Sequence, residues 1–359
     1  MKANPPPGIP IVGIGAQTPV GRSVPTSAAA VRARLPMVAL HPFLVDRFGE
    51  RVSVARAPWV AAEVPLLDRL LTLAADAGRE ALNTVESALV RAKPRVGVVV
   101  GLPAQRPALP PELAERTSAR LAGLLPPRSI LVEQKLLLLG HVAGMAAIEE
   151  GCRLIREGKA DLCLVGGVES YIDRITIEWI DWTGGLHAPD HSWGFIPGEA
   201  AGFCVLASDD FAATNQLETL GVVLGASTAL EPKLRRDRAV CIGEGLTESF
   251  RRTLACLPDS AQVDKIICDL NGQPHRAEEF GFTMLRLGRK FSDPGRFQTP
   301  ADCWGDVGAA SGPLFVALAV TAGRKGYAPG PLTLVWTSAM VAERSSALIQ
   351  VEAQRRGEL

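Results

Sequence analysis

The stretch GHVAGMAAIEEGCRLIREGKADLCLVGGVES, residues 140–170, decides the fold of this chain. After a tight turn, its apolar residues recur at the spacing of an amphipathic helix, predicted over 142–156. The apolar run 161–165 predicts a buried strand, and the Gly-Gly pair that follows it predicts a turn. A turn, a helix and a buried strand in this order indicate an α/β protein.

The same alternation of strands and helices continues along the chain, and a second half starts near residue 220. Each half offers several apolar runs typical of strands, separated by stretches of helical periodicity. The other predicted strands are 9–15, a strand from 130, and 96–100, 202–207, 221–226, 264–270, 332–337 and 347–351. The other predicted helices are 66–82, 243–256, 276–287 and 307–321. Two similar βαβ-rich halves are therefore expected.

Composition excludes several classes of protein. The 359 residues include 38 basic and 38 acidic side chains, so the formal charge is zero and favours neither a nucleic-acid nor a membrane partner. The first residues lack the apolar core of a secretory signal, and the apolar run 312–322 is too short to span a bilayer. Seven cysteines form no CxxC pair and predict buried, reduced thiols, which indicates a cytoplasmic protein.

Five blocks of sequence resemble the β-ketoacyl synthases, the condensing enzymes of the thiolase superfamily. Residues 140–170 resemble the helix that carries the nucleophile of that family. The segment IVGIGAQTPVG resembles its opening strand and turn, and GFIPGEAAGFCVLAS, which contains Glu199, resembles its glycine-rich strand entry. The segments CDLNGQPHRAEE and CWGDVGAASGPLFVALA stand where the family carries its two catalytic histidines. The blocks occur in the family's order.

The resemblance implies a thiolase-like fold with an N-terminal half, 1–215, and a C-terminal half, 216–359, in a layered α/β/α/β/α unit. It also implies a site of one cysteine and two histidines, whose positions are here His141, Asn271 and Asp306. Ala301 and Asp302 occupy the region of the family's lysine. Residues 338–342 read SAMVA in place of a glycine-rich GFGG-type loop. The standard condensation chemistry is therefore expected to be lost.

Each of the three positions has a chemical and a structural interpretation. His141, at the positive end of a helix dipole, could be a general base or nucleophile, or a hydrogen-bonded remnant. Asn271 could donate to an oxyanion, or satisfy backbone groups in a turn. Asp306 would repel a developing oxyanion, and it could instead form a catalytic or a purely structural pair with His141.

Other candidate residues are weaker. Cys303 could be a displaced nucleophile, although a buried cysteine usually acts as a small hydrophobe. The sequence HAPDH, 187–191, has two histidines and an aspartate, but its proline indicates a loop over the pocket and no third ligand is evident. No metal and no cofactor are therefore predicted. Trp179, Trp182 and Trp193 could block an acyl tunnel or pack at a subunit contact.

Three functions remain open. The first is a non-condensing partner, scaffold or specificity subunit like a chain-length factor, as a homodimer or a heterodimer with an active synthase or other protein. The apolar run 130–139 would form the dimer contact, and an acyl carrier protein is a possible partner. The second is an altered enzyme that uses His141 for acyl transfer, thioester hydrolysis or decarboxylation. The third is an adapter of a multi-protein secretion or assembly machine.

Overall fold

The structure, a computed structural model, describes residues 8–189, 191–234 and 240–353. The strands in this part are β1 Ile9–Gln17, β2 Ala39–Val45, β3 Arg51–Val54, β4 Arg95–Gly101, β5 Ile130–Leu137, β6 Leu162–Ser170, β7 Glu199–Ala207, β8 Gly221–Leu230, β9 Lys265–Cys268, β10 Phe297–Gln298, β11 Leu332–Ser338 and β12 Glu343–Gln350. The α-helices are α1 Val24–Arg32, α2 Leu66–Asn83, α3 Glu86–Arg91, α4 Leu113–Ala122, α5 Ala143–Arg156, α6 Arg174–Trp182, α7 Asp209–Thr214, α8 Glu244–Leu254, α9 Pro274–Leu287, α10 Ala301–Trp304 and α11 Ser311–Arg324.

Ten of these strands form one sheet whose order repeats. From one edge to the other the order is β10-β9-β11-β12-β8-β1-β7-β6-β4-β5. Outward from the centre, the strands of the first half are β1, β7, β6, β4 and β5, and those of the second half are β8, β12, β11, β9 and β10. Numbered along the chain within each half, both series read first, fifth, fourth, second, third. The two halves meet where β1 pairs antiparallel with β8, with Ile9 opposite Val223. The fold is therefore built from two copies of one topology.

Helices cover the sheet in layers, each with its own apolar core. One cluster joins α2 to the outer face of the first half, and it includes Leu70 and Phe203. A central cluster surrounds α5 and α11, which contact each other between the two halves of the sheet. A third cluster, around Phe250 and Trp336, joins α8 and α9 to the outer face of the second half. The predicted α/β, thiolase-like layering is confirmed.

The division of the chain after residue 215 stays a prediction. Helix α7 ends at Thr214 and β8 begins at Gly221, so the predicted boundary lies in the connection between them. Among the described residues, no helix is both long enough and apolar enough to cross a bilayer.

A small lobe beside the first half was not predicted. Strands β2 and β3 form an antiparallel hairpin that packs on α6 and the loop after it, through Val52, Val54, Ile177, Ile180 and Phe195. Helix α6 has a recognisable start, because the side chain of its N-cap residue Asp173 accepts a hydrogen bond from the backbone N–H of Thr176 at 3.0 Å. The lobe shapes one side of the molecule near the loop that contains the predicted HAPDH motif.

Three expectations about local structure need correction. The turn predicted at Gly166 and Gly167 is wrong, because β6 continues through both glycines to Ser170. The helix predicted over 307–321 begins at Ser311, because a 3₁₀ turn, Gly308–Ala310, precedes it and Gly308 adopts φ +44°. The expectation that the cysteines are buried is wrong for Cys241 and Cys256, which are half-buried. The other five are buried, and all seven are free thiols.

Candidate functional site

His141 lies in the turn that joins β5 to α5. Gly140 has φ +59° there, a conformation that favours glycine, and a Cβ at this position would lie 3.1 Å from the Cβ of Ala104. A 3₁₀ turn, Gly140–Val142, then leads into α5. The local sequence therefore presents the His141 side chain just before a helix N-terminus, as predicted, but in a buried setting with 4% of the residue exposed.

Asp306 stands at the corresponding turn before α11, held by backbone hydrogen bonds. Its N–H donates to the carbonyl of Ile196 at 2.8 Å, and its own carbonyl accepts from the N–H of Gly198 at 2.8 Å. Its Oδ1 accepts from the N–H of Gly308 at 2.8 Å. These bonds fix the carboxylate so that Oδ2 points toward the turn that carries His141.

The structure brings the three predicted site residues together. His141 Nε2 lies 2.8 Å from Asp306 Oδ2, and the Asn271 amide nitrogen donates to the same oxygen at 2.5 Å. Asn271, which follows β9, is oriented by the backbone N–H of Gln273, which donates to its Oδ1 at 3.1 Å. The predicted contact between the buried His141 and Asp306 is thus present, and the half-buried Asn271 completes a triad of side chains.

The Asp306 carboxyl is held in its charged form. Burial acts to raise its pKa, but the charge and hydrogen bond of His141, the charge of Arg276 and the Asn271 amide outweigh burial and hold the pKa well below its usual value. Burial, followed by the charges of Asp306 and Glu169, raises the pKa of Tyr171 well above its usual value. A fixed negative charge therefore stands at the centre of the site, where it opposes a developing oxyanion.

Two buried ion pairs beside the triad were missed from the sequence. Arg276 Nη1 donates to Asp269 Oδ2 at 2.6 Å and to the carbonyl of Ser338 at 2.7 Å. Arg106 Nη2 donates to Glu169 Oε1 at 2.9 Å. Arg276 lies in the block CDLNGQPHRAEE seven residues after Asp269, so an acidic and a basic residue about two helical turns apart were a usable signal. Arg106 gave no such signal, because it lies within a proline-rich loop.

Glu199, singled out by its place in the glycine-rich block, is a structural residue here. Its carboxylate accepts from Arg69 Nη1 at 2.8 Å, from the N–H of Ala57 at 2.8 Å and from Ser170 Oγ at 2.9 Å, all in the buried interior. Arg69 belongs to α2, so the pair ties that helix to the start of β7. Its partner is 130 residues away, which no local pattern reveals.

The weaker candidates lie elsewhere. Cys303 is buried, and its thiol pKa is raised by burial, which disfavours a nucleophile. Trp179, Trp182 and Trp193 are exposed at the surface, so they do not plug an interior tunnel. His187 is exposed, and its Nδ1 donates one hydrogen bond to the Ser192 carbonyl at 3.2 Å. Asp190 of the same motif lies outside the described residues.

One group of possible metal ligands occurs in the described part of the chain. Glu231, Cys241 and Glu279 bring one ligand atom each within 4.8 Å of one another. Arg344 donates to both oxygens of Glu279, at 2.5 and 2.7 Å, and burial raises the pKa of the Cys241 thiol to about 12. A guanidinium at this distance and a protonated thiol both oppose a bound cation, so these residues fit a metal poorly.

Comparisons with known proteins bear on the fold of this chain. The profile of the β-ketoacyl synthase N-terminal domain matches residues 142–212. No curated protein sequence matches the chain significantly. The fold is similar to that of the ishigamide ketosynthase/chain length factor, with a TM-score of 0.78 and 19% identity over 96% of this chain and 99% of the other.

Two further solved structures share the fold at low identity. A type II polyketide synthase ketosynthase, in complex with its acyl-carrier protein and bound to the hexaketide, gives a TM-score of 0.77 at 15% identity, over 96% of this chain and 99% of that one. The ketosynthase from module 6 of the bacillaene synthase of Bacillus subtilis gives 0.79 at 15% identity, over 96% and 72%. Residues 142–212 are therefore similar to the N-terminal domain of the β-ketoacyl synthases, and the chain shares the fold of solved ketosynthases.

Proposed function

We propose that this chain is a non-condensing partner subunit, similar in role to a chain-length factor, which forms a dimer with a second copy or with an active ketosynthase. The observation that carries the proposal is the closed pair of His141 and Asp306 in the turn before α5, where the resemblance places a cysteine nucleophile. The three positions implied by the resemblance then hold a structural network in place of catalytic residues.

The chemistry of the triad supports loss of condensation. A condensing site needs a thiolate to take the acyl group and hydrogen-bond donors for the oxyanion. Here His141 Nε2 and the Asn271 amide nitrogen both form hydrogen bonds with Asp306 Oδ2. The Asn271 amide also donates to Gln273 Oε1 at 3.3 Å, so both of its hydrogens have partners within the protein. The Asp306 carboxylate itself repels a developing substrate oxyanion.

Strand β5 supports the dimer. It is an edge strand of the ten-stranded sheet, and Ile130, Leu131 and Val132 at its start are exposed on successive positions. An exposed apolar edge strand is a template for pairing with another chain, and monomers usually protect such edges. A partner strand on β5 would bury this apolar surface, and an interface of this kind covers more than about 1,000 Å².

The similar solved structures are consistent with this role. One is a ketosynthase/chain length factor, and another is a ketosynthase complexed with its acyl-carrier protein. A paired synthase-type subunit and a carrier protein are therefore the partners that we propose for this chain. Burial of His141 argues against the alternative of an altered enzyme, because a base or nucleophile needs access to its substrate.

The test combines mass and association. The purified protein is incubated with acyl and malonyl thioesters of a carrier protein, then examined by intact mass spectrometry and sedimentation velocity. We expect no covalent acyl adduct, no ketoester and a dimer at micromolar concentration, alone or with a co-expressed synthase. A stoichiometric acyl adduct, or a monomer that pairs with no synthase, would refute the proposal.

A further inference from the structure

A cleft of about 440 Å³ opens at the far edge of the second half, away from the His141 triad. It lies between the end of α1, the edge strand β10, the short helix α10 and the loop around Tyr327. None of the triad residues lines it. The cleft is therefore separate from the ketosynthase-like site.

The walls of this cleft are strongly cationic. Four basic side chains line it, and one carboxylate, that of Asp302, accepts a hydrogen bond from Thr299 Oγ1 at 2.6 Å. The four are Arg32, Arg34, Lys265 and Arg296. Across the described ranges none of these four forms an ion pair, in a chain whose other basic residues pair repeatedly. The four cations less the one carboxylate leave a net charge of +3.

The four cations differ in their surroundings, and Arg32, Arg34 and Arg296 are exposed. Lys265 is half-buried, and burial followed by the charge of Arg296 lowers its pKa to about 8. Arg34 adopts φ +54°, a conformation that favours glycine, directly after α1. The guanidinium of Arg32 lies 4.3 Å from the centre of the Tyr327 ring. Like charges gathered in this way repel one another, and an anion between them would relieve the repulsion.

We propose that this cleft binds a small organic diphosphate, such as a nucleoside diphosphate. Two linked phosphate groups carry about three negative charges at neutral pH, which matches the net charge of the cleft. Three of the four cations are arginines, whose planar forks suit phosphate oxygens. Other parts of the wall, including Val31, Phe297 and Leu318, are apolar and accommodate the organic part.

The size of the cleft supports an organic group beyond the phosphates. A volume of about 440 Å³ lies within the range of small-molecule pockets and exceeds the volume of a diphosphate alone. Binding here is independent of the proposed partner function, because the cleft shares no lining residue with the triad. The cleft could bind this ligand whether or not the chain catalyses condensation.

The test is isothermal titration of the full chain with pyrophosphate and with ADP at 50 and 150 mM salt. The variants are Lys265→Met and Arg296→Gln, and Arg79→Gln is the matched control, an exposed arginine on α2 in the other half. We expect both ligands to bind, ADP more tightly, with affinity falling at the higher salt. Each cleft variant should weaken binding at least tenfold, while the control leaves it unchanged.

Circular dichroism and thermal unfolding establish that each variant is folded, and Lys265→Met should fold because it removes a poorly solvated charge. Absence of binding by both ligands at millimolar concentration would overturn the proposal, as would equal binding by wild type and both cleft variants. ADP that binds more weakly than pyrophosphate would contradict the organic component and leave an inorganic site, which is also against the proposal.

Discussion

His141 Nε2 lies 2.8 Å from Asp306 Oδ2, although the two residues are 165 positions apart in the chain. The pair joins the turns that precede α5 and α11, which are the central helices of the two halves. The resemblance to condensing enzymes places a nucleophile and a histidine at these two turns. In this chain the same positions connect the halves by a buried charged contact.

Loss of the Asp306 charge should destabilise the fold. Asp306→Asn keeps the shape of the side chain but removes the negative charge that pairs with His141 and accepts from Asn271. Breaking a buried pair costs about 3 kcal/mol in the free energy of unfolding. Urea unfolding at pH 7 measures this, and Asp76→Asn, which breaks an exposed pair with Arg79, should cost less than about 1 kcal/mol.

The same variant should show a defined pH dependence. Because the pKa of Asp306 lies well below its usual 3.8 in the fold, its contribution is present above that value and is lost as the pH falls through the lower, folded-state pKa. The difference in stability between wild type and Asp306→Asn should therefore shrink as the pH falls below about 4. A difference that instead grows in acid would contradict the charged carboxylate.

A cysteine restored at position 141 should be a poor nucleophile. A helix N-terminus lowers the pKa of a thiol, but burial and the adjacent Asp306 carboxylate both oppose the thiolate. His141→Cys should therefore react slowly with iodoacetamide at neutral pH, and adding Asp306→Asn should accelerate the reaction at least several-fold. Peptide mapping by mass spectrometry separates position 141 from the half-buried Cys241 and Cys256. Equal rates in the single and double variants would show that Asp306 does not control the site.

The buried pair of Arg69 and Glu199 should behave as one unit. Arg69→Met leaves the Glu199 carboxylate buried without its cation, at a cost of about 3–5 kcal/mol. Adding Glu199→Gln should recover part of that loss, because the uncompensated charge is gone. A double-mutant cycle by chemical denaturation measures the coupling. Additive losses would mean that the two side chains do not depend on each other.

A charge placed on β5 should dissociate the proposed dimer. Leu131→Lys introduces a cation into the exposed apolar start of the edge strand, whereas Leu285→Lys alters a more exposed leucine on α9, on the opposite outer layer. We expect the first variant to raise the dimer dissociation constant by at least tenfold and the second to leave it unchanged, by sedimentation velocity. Dimers of equal strength in both variants would place the contact elsewhere.

Much of the fold could be predicted because buried strands and amphipathic helices have periodic sequences. Residues 140–170 gave the turn, helix and strand within a few positions, and the site positions His141, Asn271 and Asp306 do meet. The hairpin of β2 and β3 was missed because only His41 of β2 is buried, so that strand shows no alternation of apolar and polar residues. Helix α1 carried a usable signal in Ser23 and Thr26, which form a capping box, and in Pro25 in the first turn.

The partners of charged residues could not be predicted, because they depend on contacts between distant segments. Glu199 was identified by its block, but Arg69 was not, since the two are joined only when α2 packs on the sheet. The cationic cleft likewise combines α1 with residues more than 200 positions later. Sequence patterns describe each element, whereas these pairs arise from the arrangement of the whole sheet.

The most direct test of the central claim, that this scaffold has lost thioester chemistry, is turnover by wild type and His141→Ala side by side. Both proteins are incubated with acyl and malonyl thioesters, and free thiol, carbon dioxide and ketoester are followed together. We predict that wild type and His141→Ala both match the protein-free rate for all three products. Turnover in the wild type that disappears in His141→Ala would contradict the account and make His141 a catalytic residue.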